Sequence, residues 1–351
     1  MTEAQPAYAE LHCHSAFSFL DGSTSPEALV TQAKALGLSA LALTDHDTLA
    51  GAMRFWMAAK AASLKAIIGA EITLEGGQHL TLLAETQRGY ANLCRLITRS
   101  RSGNDPRRNT ERHGEDIRVA QPPCASVDEN WPGKIAPTVT WPMLAEHAEG
   151  FIALSGCRRG PIATALLAGD ADGAQLAAKR LLDCFGPRQL YIELQHHRLR
   201  EDDGLVRGLA AIARQMQLPV VATGNVHYAT RNHARLRDCL IAIDHNQSLT
   251  EARKAGLLPS NHRYDLATPQ AMVERFIELP QAIHNTLAIA ERCGAADGVS
   301  LDWSTHRLPH FVVPEGFSAF SYLYHLCHNA LPRRYPQLRP QVLTNSRTSC
   351  G

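Results

Sequence analysis

From Tyr8 to Thr223 the chain alternates short apolar runs with longer amphipathic segments, and this alternation limits the available folds more than any other feature. Tyr8–Leu11, Leu41–Leu43, Ala66–Ile68, His79–Ala84, Phe151–Leu154, Leu190–Leu194 and Pro219–Thr223 have the length and apolar character of strands. Between them lie segments with helical spacing: Pro26–Ala35, a stretch from about Thr48 to Ser63, Tyr90–Arg99, and stretches near Ile162–Leu167, Ala174–Cys184 and Leu205–Met216. Ser25 ahead of Pro26 combines an N-cap with proline at the first helical position. Repeated strand–helix order predicts an α/β fold with a mostly parallel sheet, closed or nearly closed into a barrel.

Other regions break the pattern. Residues 103–140 are polar, proline-rich and aperiodic, and read as a surface insertion. After Tyr228 the pattern turns mainly helical, over Asn232–Ala242, Pro269–Phe276 and Pro280–Cys293. The expected organisation is a barrel over 1–230 carrying that insertion, a mainly helical continuation over 231–335, and an irregular tail over 336–351. With 351 residues, 45% of them apolar, the chain can bury a core for one large domain and a smaller second one. Its 34 acidic and 35 basic residues nearly cancel, so no global field draws it to nucleic acid. Nine cysteines without a C-x-x-C pair argue against a disulfide framework and for a reducing compartment. The absence of a signal region, or of 18 consecutive apolar residues, predicts a cytoplasmic protein that makes no membrane contact.

The chain carries 17 histidines, and their positions are more informative than their number. His12 and His14 end the first predicted strand in LHCHS, and Asp45 and His46 follow the second in LALTDHD. Glu71 follows the third in IIGAE, and His79 opens the next in HLTLLA. Cys157 ends IALSGC, and Asn225 and His227 end VVATGNVH. Barrel active sites are built at the carboxyl ends of strands. Imidazole, carboxylate, thiol and amide delivered there together suit Zn, Mn or Fe, and the surplus over four ligands predicts two or three ions. Alternate residues of a strand point the same way, so His12 and His14 face one site. Cys157 reads equally as an inert buried thiol or as a ligand. His196 and His197 read as a surface loop. The remaining histidines (113, 147, 233, 245, 262, 284, 306, 310, 325 and 328) lie off the strand ends and read as structural or solvated.

At LHCHSAFSFLDG, LTDHDTLAGAMRF, GAEITL and HLTLLAET, the sequence resembles the PHP (polymerase and histidinol phosphatase) domain that opens bacterial C-family DNA polymerases. YANLCRLITRSR, HAEGFIALSGCRRGPIA, AIHNTLAIAERC and LPHFVVPEGFSAFSYLYHL resemble the error-prone branch. The resemblance, from about Tyr8 to Tyr335, implies a distorted seven-stranded, TIM-like β/α barrel followed by a short mainly helical segment. It implies metal ligands at His12, His14, Asp21, His46, Glu71, His79, Cys157, Asn225 and His227. Within that set it gives a third ion to Asp21, His46 and His227. Asn225 stands where metal-rich members carry Asp, which removes one negative charge. Polymerase palm residues lie beyond 351, so the chain reads as truncated before that active site.

Three functions compete. A hydrolase would use clustered ions bridged by Glu71, with Asp45 orienting an imidazole from behind, for phosphoesterase or 3′–5′ exonuclease chemistry. A structural module would bind metal without turnover inside a translesion polymerase. Its family partners would be DNA, an inactive Y-family polymerase and the sliding clamp. A free-standing phosphatase of small esters is disfavoured by the polymerase-like stretch Leu308–Leu326.

Overall fold

The computed structural model describes residues 6–102, 136–294, 298–302 and 312–334. Most of the expected insertion and all of the expected tail lie outside them. The chain divides into two compact units, Met1–Leu301 and Asp302–Gly351.

Seven strands form one sheet in sequence order: β1 (Ala9–Glu10), β2 (Ala40–Leu43), β3 (Lys65–Thr73), β4 (His79–Ala84), β5 (Phe151–Leu154), β6 (Leu190–Gln195) and β7 (Val220–Thr223). Helices α1 (Pro26–Ala35), α2 (Ala52–Ala61), α3 (Gln87–Ser102), α4 (Trp141–His147), α5 (Pro161–Leu167), α6 (Ala171–Phe185) and α7 (Asp202–Gln215) come between the strands. After β7 follow α8 (Ala234–Asp244), α9 (Leu249–Lys254), α10 (Pro269–Arg275) and α11 (Pro280–Cys293), all within the first unit. The second unit contributes α12 (Ala319–Arg334). Local chemistry fixes the helix starts: the Ser25 side chain accepts from the Ala28 amide, and Thr140 and Thr268 cap α4 and α10 the same way, each ahead of a proline.

The sheet is an α/β barrel. β1–β2, β2–β3, β5–β6 and β6–β7 pair in parallel, and an isolated parallel bridge between Cys13 and Val226 joins the two edges. Across that seam the His14 amide donates to Val226 O at 2.7 Å, and the Val226 amide donates to His12 O at 2.9 Å. β4 runs antiparallel to both neighbours. This corrects the third strand, which extends well past Ile68. Residues 65–68 pair with β2, while 69–73 pair with β4 in a hairpin whose turn contains Gly76 and Gly77 at positive φ. Glu71 therefore lies inside β3. The second helix starts at Ala52, several residues later than expected from about Thr48. The end of the expected insertion is structured: Val139 is fully buried and bridges Leu74.

Alternation along the strands divides the core into two. Ala9, Leu11, Ala40, Ala42, Ile67, Leu83, Ile152, Leu154, Tyr191 and Val221, drawn from all seven strand segments, form one buried cluster with Ile289, Ala290 and Cys293 of α11. Residues of opposite parity, such as Leu41 and Leu43, join the helices in a second cluster. Helix α11 is tied to the strands by polar contacts as well: the Ala9 amide donates to Thr286 Oγ1 at 3.2 Å, and Asn285 Nδ2 donates to Val220 O at 2.7 Å. The helix therefore belongs to the barrel's inner core. We expect Ile289→Ala to destabilise the protein by about 3 kcal/mol, the range for truncating a buried Ile. Urea denaturation checks this, and a loss below about 1 kcal/mol would mean that α11 does not seal the barrel interior.

Candidate metal centre

Glu71 is 1% exposed and sits at the centre of four imidazoles. Its Oε2 lies 3.0 Å from His46 Nδ1, 3.2 Å from His79 Nδ1 and 3.6 Å from His14 Nε2, and its Oε1 lies 3.4 Å from His12 Nε2. These groups reach one point for topological reasons. His12, His14 and His46 follow the carboxyl ends of parallel strands, whereas His79 begins an antiparallel strand, which starts at that same end. Two convergent sets of metal-type atoms result, His12–His14–Glu71 and His46–Glu71–His79, and Glu71 is common to both.

The remaining expected residues arrange around this core. Cys157 Sγ lies 3.7 Å from His79 Nδ1. It is placed there by Gly156, at φ +92°, where a Cβ would lie 2.2 Å from the His79 carbonyl oxygen. Asp21 Oδ2 accepts from His46 Nε2 at 3.1 Å and lies at the same distance from His227 Nδ1. The His14 ring is sandwiched between those of His46 and His227, with centroids 4.3 and 4.5 Å away. Asn225 adopts φ 44°, and its buried Oδ1 has no hydrogen-bond partner. Asp45 reaches an imidazole, but that of His14 and only indirectly. Its carboxylate turns into the Ser15–Ser18 loop, accepting from the Ser15 amide (2.6 Å), Ser15 Oγ (2.8 Å) and Ser18 Oγ (2.7 Å). Ser18 has given its only proton to Asp45, so toward His14 Nδ1, 3.2 Å away, it accepts. His14 therefore carries its proton on Nδ1 and turns a lone pair on Nε2 toward Glu71.

Three residues escaped the sequence reading. Glu193, on β6, accepts from His12 Nδ1 at 2.6 Å, from Gln195 Nε2 at 2.8 Å and from Thr223 Oγ1. It fixes the His12 tautomer so that Nε2 also faces the centre, as a carboxylate behind a ligating histidine does. Its signal was parity, since Tyr191, Glu193 and Gln195 share a face of LYIELQ. Arg237, on α8, forks onto Asp21 Oδ1 through Nε (3.0 Å) and Nη2 (2.9 Å). His197 is no surface residue. It is 1% exposed, donates from Nε2 to Gly224 O at 2.8 Å and stacks on Tyr264. The loop folds inward because Asp202 accepts from the His197 and Leu199 amides, leaving Arg198 and Arg200 exposed and His196 partly so.

Electrostatics follow from burial against partners. Burial alone would raise the Glu71 pKa, but His46, His12 and His79 hold it well below the usual carboxylate range. Burial opposes charge on His46 too, and Glu71 and Asp21 overcome it, taking its pKa to about 10. His14 goes well below the ordinary value through burial and through His46 and His227. Burial and Arg237 bring His227 to about 4. The Cys157 thiol is pushed well up by burial and then by Glu71. A cavity of about 870 Å3, lined by Asp21, His46, Glu71, His79, Cys157, Asn225 and His227 and by Arg158, Arg159, Arg200 and Arg237, opens onto the cluster.

The PHP domain profile matches residues 10–197, more than half of the chain. The chain belongs to the PHP domain family. It is 38% identical over 336 residues to an error-prone DNA polymerase of Symbiobacterium thermophilum, covering 96% of this chain and 29% of that relative. Error-prone DNA polymerases of Mycobacterium tuberculosis H37Rv and Pseudomonas aeruginosa PAO1 are each 35% identical over 96% and 94% of this chain. The chain thus spans less than a third of the curated relatives it matches. Among solved structures, an amidohydrolase of Chromobacterium violaceum is similar with a TM-score of 0.41 and 19% identity over 63% of this chain and 88% of that one.

Within this PHP barrel the Gly156 turn carries the strictest local requirement. Gly156→Ala combines positive φ with a backbone clash. We expect it to destabilise the protein by about 2 kcal/mol or more. Gly169→Ala shares the positive φ but meets nothing within 4 Å, and serves as the control. Equal losses in chemical denaturation would contradict the tight approach of Cys157 to His79.

Proposed function

We propose that this chain is the N-terminal PHP region of an error-prone DNA polymerase, and that the region is a two-ion phosphodiesterase acting in the 3′–5′ direction. The observation that carries this reading is the single buried carboxylate of Glu71 shared by two convergent sets of ligand-type atoms. The donor set fits divalent transition ions. Imidazoles dominate, one thiol stands beside His79, and Glu71 Oε1 and Asn225 Oδ1 are buried polar atoms with no hydrogen bond to the protein. His12, His14, Glu71 and Asn225 would hold one ion. Glu71, His46, His79 and Cys157 would hold the other. Zn, Mn and Fe all suit these donors.

When bound, such ions lower the pKa of a coordinated water and neutralise phosphodiester charge. The chain's own residues prepare that chemistry. Glu193 and the Asp45–Ser18 pair fix the tautomers of His12 and His14. The stacked His46–His14–His227 rings keep the ligands from rotating, and the guanidinium-lined cavity offers cations to a phosphate backbone. By the same reading, template-directed synthesis belongs to parts of the relatives beyond the region matched here. DNA, an inactive Y-family polymerase and the sliding clamp are then partners of the longer protein, and the setting is cytoplasmic. Among the described residues no helix is long and apolar enough to cross a membrane.

A second reading, a metal-binding module without turnover, is favoured by Asn225, whose amide brings no charge to the ion it would touch. One experiment separates the two: Mn-loaded protein assayed on a 3′-labelled single-stranded oligonucleotide and on bis(p-nitrophenyl) phosphate. The hydrolase reading expects turnover of both, falling by at least about a hundredfold, or about 2.7 kcal/mol of barrier, in Glu71→Gln. Stable ion binding with no turnover of either substrate would establish the structural reading instead.

A further inference from the structure

We propose that Arg237 takes the place of a third cation in this centre: its guanidinium holds Asp21, and its remaining arm receives a phosphoryl oxygen of the substrate. This role rests on the two-ion reading above and adds the element that grips the phosphate.

Asp21, His46 and His227 are the residues to which family resemblance gives a third ion. The structure brings them together, since both imidazoles approach Asp21 Oδ2 at 3.1 Å. Even so, among the described residues they do not form a third convergent set beside the two centred on Glu71. The other oxygen of Asp21 has a different partner. Asp21 Oδ1 is already occupied by Nε and Nη2 of Arg237 at 3.0 and 2.9 Å, a fork that supplies one full positive charge to the one negative charge present. The guanidinium is held in place. Its side chain is 10% exposed, and its Cζ lies 4.8 Å from the centre of the Tyr264 ring.

An ion at that position would meet a carboxylate already neutralised and a fixed guanidinium close by. Glu71, the other carboxylate in contact with His46, is shared by the two ion sets, and Asn225 adds no charge. A permanent cation does there what a third ion would do, without needing to be loaded.

The second observation is the arm left over. Arg237 Nη1 is buried and has no hydrogen-bond partner, although the residue lines the same cavity as Glu71, His46 and His79. A buried guanidinium N–H without an acceptor is costly. A tetrahedral oxyanion seated beside the two ions supplies the missing acceptor, and a planar fork that grips a carboxylate on one edge can offer its other edge to phosphate. Lysine cannot do both, because its single ammonium would have to choose between Asp21 and the phosphate.

Two measurements on the whole chain test this. The first is ion content after saturation with Mn and removal of excess, read by mass spectrometry of the metal. Wild-type protein takes up two ions per chain, and Asp21→Asn also takes up two, because Asp21 belongs to Arg237. Three ions in the wild type, or the loss of one in Asp21→Asn, overturns the inference and leaves the two-ion reading's Glu71 core standing. No ion at all overturns both. The second is calorimetric binding of inorganic phosphate to Mn-loaded protein. Arg237→Lys keeps the positive charge and the ion count but binds phosphate at least tenfold more weakly. Unchanged phosphate affinity in Arg237→Lys overturns the role of Nη1.

Discussion

A carboxylate that cannot reach water needs positive charge, and in this barrel that need is concentrated on Glu71. Transfer of an unpaired carboxylate to the interior is too costly to survive folding. The surrounding structure gathers His12, His14, His46 and His79 from three separate segments of chain, and His46, His12 and His79 hold the carboxylate in its charged form. Three of those imidazoles have their own support, from Glu193 behind His12, from Ser18 and Asp45 behind His14, and from Asp21 beside His46. The polar end of the barrel is therefore a nested set of charge compensations with Glu71 in the middle.

The barrel supplies the convergence that local sequence cannot. The Cys13–Val226 bridge carries His12 and His14 to the segment holding Asn225 and His227, which lies more than two hundred residues away in sequence. Reversal of β4 brings His79 to the same end as the carboxyl termini of its parallel neighbours. Residues of one parity line the interior, and their position along each strand divides it along its axis. The apolar inner residues of all seven strands share a cluster with α11, while Glu71, Thr81, Glu193 and Thr223 make the buried polar layer beneath the histidines. At the histidine end the guanidinia of Arg158, Arg159, Arg200 and Arg237 line the cavity.

Much of this was legible in the sequence because it rests on local rules. Strand periods, N-caps at Ser25 and prolines at helix starts are short-range signals, and β4, β5, α1 and α11 have their expected bounds. The histidine and carboxylate positions were legible because strand ends announce themselves. What escaped depended on chain reversal or on contacts distant in sequence. Glu71 was placed after a strand that in fact continues, because the Glu75–Gly76–Gly77–Gln78 turn was not taken as a hairpin. Glu193 was hidden in an apolar run, where only interior parity marks it. Arg237 was one arginine on a helix beyond the last strand, and nothing local says that it crosses to Asp21. His197 looked exposed in a polar loop, and the Asp202 carboxylate that folds this loop inward acts through backbone amides that no motif records.

Family membership and charge geometry lead to the same place from different directions. The chain is similar over most of its length to error-prone DNA polymerases, and in the function proposed above the Glu71 cluster would bind two ions. The central claim is that one carboxylate holds both ions, and electron paramagnetic resonance of the Mn-loaded protein tests it most directly. Two manganese ions joined through Glu71 give an exchange-coupled spectrum, and Glu71→Gln loses that coupling. A wild-type spectrum showing only the six-line signal of isolated manganese would contradict the account.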